Sequence, residues 1–322
     1  MKWLSAPKAG RPLPNTPRRQ LIWLGKKPTL AQQVAWLGML LMAPVILFVL
    51  VFVAWPTINT LRMSFFYNNL IRPEKGVYWI GLENYATLLQ TGHLVVMWLR
   101  TVLLAFTTIA GQIVFGLIIA LMLNRTFILR SVVRSTFIVP WALPTLVAAF
   151  AIRWLFDANF GPINQILTLF GLPFKGFPWL GRPETALAIV ISAHIWKGLG
   201  YLILVMLAGL QTIPFDLRDA ARVDGANAWQ EFRFITLPHL EFIISIAFVL
   251  RFIWTFNWFD LVFLTTSGGP SQGTMTLPVS VYITAFKSFN MGKAAAIASV
   301  MTVTLAVFSI WFFKVMNRQE ED

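Results

Sequence analysis

The segment "DAARVDGANAWQEFRFITLPHL", residues 219–240, is a charged, alanine-rich interruption in an apolar chain. The 322 residues are 57% hydrophobic and only 12% charged, whereas soluble domains carry about 25% charged residues. The composition is therefore typical of an integral membrane protein. In such a protein, a charged segment between two apolar runs is predicted to connect two membrane-spanning helices outside the lipid.

Six apolar runs are long enough to be membrane spans, since a helix needs about 20 apolar residues to cross the hydrocarbon layer. Five of them lie at 34–55, 100–125, 185–211, 242–259 and 294–313, and the remaining one opens at 135–152. The sequence therefore predicts an all-α, polytopic integral membrane protein with six transmembrane helices in one bundle. Segment 219–240 then lies between helices 4 and 5.

The distribution of positive charge predicts the orientation. Fifteen Lys and Arg between the spans fall on the side that holds both termini and residues 219–240, and seven fall on the other side. Because cytoplasmic loops are enriched in Lys and Arg, both termini are expected in the cytoplasm. The net charge of +13 is explained by this bias, so no nucleic-acid partner is expected. We divide the chain into a basic tail (1–33), a membrane domain (34–315) and a C-terminal tail (316–322).

Local signals in the connecting segment predict two short helices. Pro214 suits the start of a helix, and Gly225 suits a turn or a left-handed residue. Asn227 and Gln230 have the spacing of a capping box for a second helix. Pro238 is expected to end that helix or to kink the chain before span 5. The residues alone leave two interpretations open, an amphipathic connector on lipid headgroups and a docking element for a cytoplasmic partner.

The order of residues in this segment resembles a known motif. Asp219-Ala-Ala, Asp224-Gly225-Ala226, Phe232, Ile235 and Leu237-Pro238 are similar to the EAA loop of permease subunits in ATP-binding-cassette (ABC) importers, with Asp219 in place of the usual Glu. The motifs "IVPWALP" (138–144), "WKGLGY" (196–201) and "IWTFNWFDLVFLTTSGGP" (253–270) resemble the maltose-type carbohydrate permeases, and more closely the first of their two permease subunits.

This resemblance implies a function and a set of partners. The chain would form the pathway for an oligosaccharide, with residues 212–240 as coupling helices that dock on an ATPase subunit. The implied partners are a second homologous permease subunit, two ATPase subunits that bind ATP and Mg, and an extracytoplasmic solute-binding protein that contacts loops 57–97 and 157–184. The implied location is the cytoplasmic membrane of a bacterium or archaeon, in contact with lipid. The implied docking residues are Asp219, Ala220, Ala221, Asp224, Gly225 and Phe232.

Polar and aromatic side chains at helical spacing indicate where a solute could pass. Ionisable residues within spans usually face the bundle or a cavity, and residues at i, i+3, i+4 and i+7 share one helical face. The alternative for each residue is a hydrogen bond that only holds the helices together. Arg251 could also pair with Asp260 or with a partner subunit. The candidate pathway residues are Trp141, Thr145, His194, Lys197, Gly198, Tyr201, Arg251, Trp254, Thr255, Asn257 and Trp258.

Signatures of catalysis or cofactor binding are missing from the sequence. It contains no G-x-x-x-x-G-K-[ST] phosphate loop, and its three histidines lack metal-ligand spacing. The chain is therefore expected to be neither an enzyme nor a cofactor-binding protein. Lys197, Arg251, Arg153 and Arg100 keep open an anionic solute, such as a uronate oligosaccharide or a glycerophospho compound. A stand-alone secondary transporter is a more distant alternative, since such proteins usually show buried carboxylates and repeated halves.

Overall fold

The computed structural model describes residues 29–319. Most of the predicted basic tail 1–33 and the last residues of the predicted tail 316–322 therefore lie outside the described residues. The chain divides into two compact units, with the boundary between residues 55 and 56.

The described part of the first unit, from residue 29 onward, is an apolar helix. Helix α1 (Leu30–Val49) is followed by a π-helical turn (Leu50–Ala54). From Val34 to Val49 its side chains are apolar and exposed, and Leu40 and Leu41 are 69% and 70% exposed. A helix that is hydrophobic all round and carries no charge suits a lipid environment. The predicted span 34–55 therefore lies on α1 and the π-helical turn, within one continuous helix that reaches from Gln33 to Met63.

The second unit opens with short elements that precede the long helices. Helix α2 (Trp55–Met63) is followed by the antiparallel strands β1 (Phe66–Tyr67) and β2 (Tyr78–Trp79), a 3-10 turn (Pro73–Lys75) and helix α3 (Glu83–Gln90). The buried side chain of Asn84 donates hydrogen bonds to the carbonyls of Ser64 and Phe66 at 2.9 and 3.0 Å. These bonds fix α3 against the end of α2 and the first strand.

Long helices make up the core of the second unit. Helices α4 (His93–Leu123) and α8 (Pro183–Gln211) pack along each other, and α11 (Leu237–Phe256) packs against both. Helix α5 (Arg130–Ala142) packs against α8, and α6 (Thr145–Leu155) is followed by the short helix α7 (Pro162–Leu169). A 3-10 turn (Trp179–Gly181) precedes α8. This packing brings α5, α8 and α11 close enough to share a cavity.

The predicted third span is a bent pair of helices rather than one rod. Helices α5 and α6 meet at an angle of 98°. Pro144 cannot donate a backbone hydrogen bond, and a residue before proline is pushed towards extended backbone; Leu143 is indeed extended, with φ −63° and ψ 139°. Among residues 29–319 there are five continuous helices long and apolar enough to cross a membrane, or six with this pair.

The connecting segment folds as two short helices joined by a glycine turn. Helix α9 (Phe215–Val223) ends before Gly225, which has a φ of +80°. Helix α10 (Ala228–Glu231) begins with the predicted capping box between Asn227 and Gln230. The helix does not end at Pro238, as one alternative expected, because a π-helical turn (Phe232–Thr236) leads into α11.

The last part of the chain adds two short helices before the final long one. Helices α12 (Asp260–Thr266) and α13 (Leu277–Tyr282) flank a turn, and a π-helical turn (Ile283–Lys287) leads to α14 (Met291–Gln319). The turn contains a cis peptide bond between Gly269 and Pro270. The region between the predicted spans 242–259 and 294–313 is therefore partly helical.

Candidate functional site

Residues of α5, α8 and α11 and of the segment after α11 line an open cavity of about 410 Å³. Its size lies within the range of small-molecule sites, about 300–1,000 Å³. The structure brings six of the eleven predicted pathway residues to this cavity, and a seventh lining residue, Ile253, was not predicted. The lining residues are Trp141, Lys197, Arg251, Ile253, Trp254, Asn257 and Trp258.

An aromatic frame surrounds the guanidinium group of Arg251. Its Cζ atom lies 5.9 Å from the ring centroid of Tyr201, 5.9 Å from that of Trp254 and 5.7 Å from that of Trp258. Cations within about 6 Å of a ring are attracted by its quadrupole. The ring of Tyr201 also lies 5.4 Å from that of Trp254 and 6.2 Å from that of Trp141. Tyr201 therefore supports the cavity wall that these residues form.

Gln112 on α4 connects three helices and was missed by the sequence prediction. Its Oε1 accepts a hydrogen bond from Nε of Arg251 at 2.8 Å, and its Nε2 donates to the carbonyl of His194 at 2.7 Å. Gln112 is completely buried. Gln112 is the only amide side chain in α4, and intramembrane polar residues usually face the bundle, so this signal was available in the sequence.

His194 and Gly198 contribute to packing beside the cavity rather than to its lining. The Nδ1 atom of His194 lies 2.8 Å from the carbonyl of Val190, and its ring contacts that of Trp258 edge-on, with centroids 4.4 Å apart. A Cβ atom at Gly198 would overlap the side chains of Gln112 and Arg251. Glycine at this position lets the side chains of Gln112 and Arg251 approach α8. His194 and Gly198 therefore hold the helices together, which was the alternative to lining the pathway.

Lys197 links α8 to the corner between α5 and α6. Its Nζ donates a hydrogen bond to the carbonyl of Leu143 at 2.6 Å. Terminal carbonyls of a helix lack intrahelical partners, and this bond satisfies one of them at the break before Pro144. Lys197 thus lines the cavity and also stabilises the bend.

The other predicted pathway residues differ in their positions. Asn257 follows the end of α11, lines the cavity and donates to the carbonyl of Ile253 at 2.9 Å. Thr145 begins α6 just beyond the bend, and Thr255 is buried; neither lines the cavity. Between residues 29 and 319, ion pairs occur only among side chains of 218–231, so the described chain forms no Arg251–Asp260 pair.

A second cavity lies where the C-terminal ends of α6 and α12 meet the loop after α6. It has a volume of about 560 Å³, and Arg153, Asp157 and Phe160 contribute to its lining. The backbone N–H groups of Phe160 and Asn159 donate to the Asp157 carboxylate and lower its pKa below the ordinary value. These bonds favour the charged form of Asp157 and order the loop that begins there.

The connecting segment carries an exposed apolar surface. The side chains of Phe215 and Val223 are 80% and 87% exposed, and those of Trp229 and Phe234 are also exposed. Phe232 is half-buried, with its ring 5.5 Å from that of Trp229. A cavity of about 310 Å³ lies in this surface beside Gly225. Contiguous exposed apolar surface usually marks a site of interaction with protein or membrane.

Charged side chains hold the two short helices of this segment together. The carboxylate of Glu231 lies 3.8 Å from Nε of Arg218 and 3.6 Å from Nε of Arg222. The predicted docking residue Asp219 is exposed and lies 3.7 Å from Arg222. Ala220 and Asp224 are exposed as well, and Ala221 is half-buried. The predicted docking residues therefore share one connecting segment, and most of them are accessible.

Comparison with known families shows which protein family the chain belongs to. Residues 112–320 match the family described as binding-protein-dependent transport system inner membrane component. The chain belongs to this family. It is therefore a membrane-embedded permease subunit of an ABC transporter, and it is not itself an enzyme.

Characterised permeases are similar along most of the chain. The trehalose/maltose transport system permease protein MalF of Thermococcus litoralis is 33% identical over 282 residues, which cover 87% of this chain and 93% of that protein. The sulfoquinovosyl glycerol transport system permease protein SmoG of Agrobacterium fabrum is 33% identical, with coverage of 82% and 85%. These matches extend through both the cavity and the connecting segment of this permease.

A solved structure shows the same fold. A bacterial alginate ABC transporter, determined in complex with a periplasmic protein that holds an alginate pentasaccharide, matches this permease with a TM-score of 0.76 at 24% identity, over 89% of this chain and 96% of that one. The all-α, polytopic class predicted from the sequence is confirmed. Within residues 29–319 there is no cluster of three or more His, Cys, Asp or Glu that could hold a metal ion.

Proposed function

We propose that this permease forms one half of the transmembrane pathway of an ATP-driven importer for a carbohydrate. The observation that carries the proposal is the cavity between α5, α8 and α11, in which three indole rings and three polar side chains face one space. Sugars have apolar C–H faces and hydroxyl edges, so they suit stacking on rings together with hydrogen bonds. The names of MalF and SmoG, which refer to a sugar and to a sugar derivative, support the substrate class.

Within this proposal the cavity residues have separate roles. Trp141, Trp254 and Trp258 stack on the sugar, while Lys197, Arg251 and Asn257 bind its polar groups. The remaining predicted residues position these six side chains rather than touch the solute. They are Thr145, His194, Gly198, Tyr201 and Thr255.

The connecting segment 212–240 is proposed to dock on the ATPase subunit. Its exposed apolar side chains, among them Phe215 and Trp229, support a protein partner because they leave a large apolar area unpaired. Gly225 sets the turn between α9 and α10, and Asp219 offers an exposed carboxylate to a basic group of the ATPase. Ala220, Ala221, Asp224 and Phe232 complete the docking surface. This assignment requires that both termini lie in the cytoplasm.

The complete importer is proposed to contain several further subunits. The family description includes a binding protein, and we assign loops 57–97 and 157–184 to its contact. A second permease subunit would complete the pathway, and two ATPase subunits would bind ATP and Mg. ATP binding would then move the coupling helices and change the side to which the cavity opens.

Reconstitution of the complex in liposomes tests this function. The four membrane and ATPase subunits are purified together, and ATP hydrolysis and solute uptake are measured with the binding protein and a panel of neutral and acidic saccharides. We expect saccharide-stimulated ATP hydrolysis and uptake that requires ATP. Uptake by the isolated permease on an ion gradient would instead identify a secondary transporter, and stimulation by non-carbohydrate solutes alone would refute the substrate class.

A further inference from the structure

We propose that the carbohydrate admitted to the central cavity carries an anionic group, such as a carboxylate or a sulfonate, and that Arg251 binds it. This inference rests on the proposed function, because it specifies the chemical class of the solute at the same site. It goes further in assigning the charge of the solute and the residue that selects for it.

The charge of the cavity lining is the first observation. Two cationic side chains, Lys197 and Arg251, line the cavity, and none of its seven lining residues is acidic. Asp260 begins α12 two residues after Trp258 and attracts Lys197 electrostatically. It lies beyond ion-pair distance of both cations, so Arg251 keeps an uncompensated charge. The lining is therefore complementary to an anion.

The burial of Arg251 is the second observation. The residue is only 4% exposed, and a guanidinium group remains protonated in proteins and carries five N–H donors. Its Nε donates to Gln112, and its Nη2 is buried against Gly198 of α8 without a hydrogen-bond partner in the described chain, while the residue as a whole lines the cavity. A buried charge without a counter-ion is costly, so a purely structural link between α4 and α11 would be served better by a neutral side chain.

The identity of its partner is the third observation. Gln112 is a neutral acceptor that orients Arg251 without cancelling its charge, whereas a glutamate at that position would form an ion pair. The rings of Tyr201, Trp254 and Trp258 restrict the guanidinium further, each with its centroid less than 6 Å away. The positive charge is thus held in place for a ligand.

The same frame fits a sugar acid better than a small inorganic anion. The indole rings of Trp254 and Trp258 line the cavity next to the guanidinium, so one sugar ring can stack on an indole while its acidic group contacts Arg251. Lys197 uses one of its three N–H donors on Leu143 and retains donors for hydroxyl groups. Arg251 is therefore the residue that selects among saccharides by charge.

Direct binding to the purified transporter tests this inference without the selectivity of the binding protein. The complex of permease and ATPase subunits is titrated with a uronate disaccharide and with its carboxyl-reduced, neutral counterpart, and uptake of both is measured in liposomes. We expect the acidic sugar to bind about tenfold to a hundredfold more tightly, as is usual for a hydrogen bond to a charged group. Arg251→Gln should abolish this preference, and Arg251→Lys should retain part of it.

A matched control and two contrary outcomes define the test. Arg125→Gln removes an exposed positive charge just after α4, outside the cavity, and should leave the preference unchanged. Equal or tighter binding of the neutral sugar, or an equal loss of both sugars in Arg251→Gln while the complex stays assembled, would overturn the role of Arg251 and leave carbohydrate transport standing. Failure of the wild-type complex to bind or transport either sugar would contradict the proposed function itself.

Discussion

The central cavity and the connecting segment 212–240 are built in opposite ways. In the cavity region most polar side chains, apart from the exposed Asn257, are buried, and several bind other groups of the same chain, as Gln112 binds both Arg251 and His194. In the connecting segment, the ion pairs are partly exposed and large apolar side chains such as Val223 face outward. The buried network beside the cavity is therefore held by contacts within one chain, whereas the connecting segment presents an apolar surface that no described residue covers.

This difference indicates where each part of the proposed mechanism is vulnerable. A change in the cavity should alter the handling of the solute while the complex still assembles. A change in the connecting segment should uncouple ATP hydrolysis from transport while the solute site remains intact. Variants of each region separate these effects, and the following four are ordered by the size of the expected change.

Replacement of Gly225 tests the connecting segment most severely. Its φ of +80° costs other residues about 1–2 kcal/mol, and more for a β-branched side chain. Gly225→Val should reorient α9 relative to α10, and misplacement of a functional element by about 1 Å can cost a hundredfold in rate. We expect saccharide-stimulated ATP hydrolysis to be lost. Gly225→Asn is the matched control, since Asn tolerates this backbone conformation, and equal activity of both variants would refute the role of the turn.

Removal of two rings tests the cavity. Tyr201→Ala combined with Trp254→Ala deletes a contact with centroids 5.4 Å apart, and each aromatic pair contributes about 0.5–1.5 kcal/mol beyond buried area. We expect uptake to fall about tenfold, with normal assembly of the complex on size exclusion. Trp36→Ala with Trp311→Ala, which removes two exposed indoles elsewhere, is the control. Normal uptake by the cavity variant would refute the proposed pathway.

Loss of Gln112 tests whether the buried network also stabilises the bundle. Gln112→Leu leaves Arg251 and the carbonyl of His194 without their partner, and such a change costs about 2–4 kcal/mol. We expect a lower unfolding temperature of the purified complex in detergent and weaker binding of the solute. Gln165→Leu, at an exposed position of α7, should shift stability by at most about 0.5 kcal/mol. Similar unfolding temperatures for the two variants would contradict the structural role of Gln112.

Neutralisation of Glu231 should have the smallest effect. Glu231→Gln removes the partner of Arg218 and Arg222, but partly exposed ion pairs contribute only about 0–1 kcal/mol. We expect coupled ATP hydrolysis to change less than about twofold, with the difference disappearing at high salt. A severe loss of coupling at every salt concentration would instead indicate that Glu231 contacts the ATPase directly.

Features that depend on a few neighbouring residues could be predicted from the sequence. The glycine turn and the capping box of Asn227 and Gln230 follow from local chemistry, and the structure contains both. The apolar runs likewise predicted the long helices, because their length is fixed by the membrane. Helical spacing also predicted the cavity-lining residues Lys197 of α8 and Arg251 and Trp254 of α11.

Features that depend on packing between helices could not be predicted in this way. Spacing placed Gly198 and Thr255 on the proposed face, yet packing turns them towards neighbouring helices or into the core. The partner of Arg251 is 139 positions distant along the chain, so no local pattern indicates it. The break of the predicted third span before Pro144 was not predicted from the sequence, and its angle depends on the contacts of both halves.

The corner at Leu143 and Pro144 gives the third span a mechanical property that a straight helix lacks. Because α5 and α6 meet at 98°, a displacement of α5 along its own axis is directed across the axis of α6. Lys197 connects α8 to the corner between α5 and α6 by its hydrogen bond to the Leu143 carbonyl. If the corner keeps its angle, an axial movement of α5 would displace α6 sideways without lengthening or unwinding either helix.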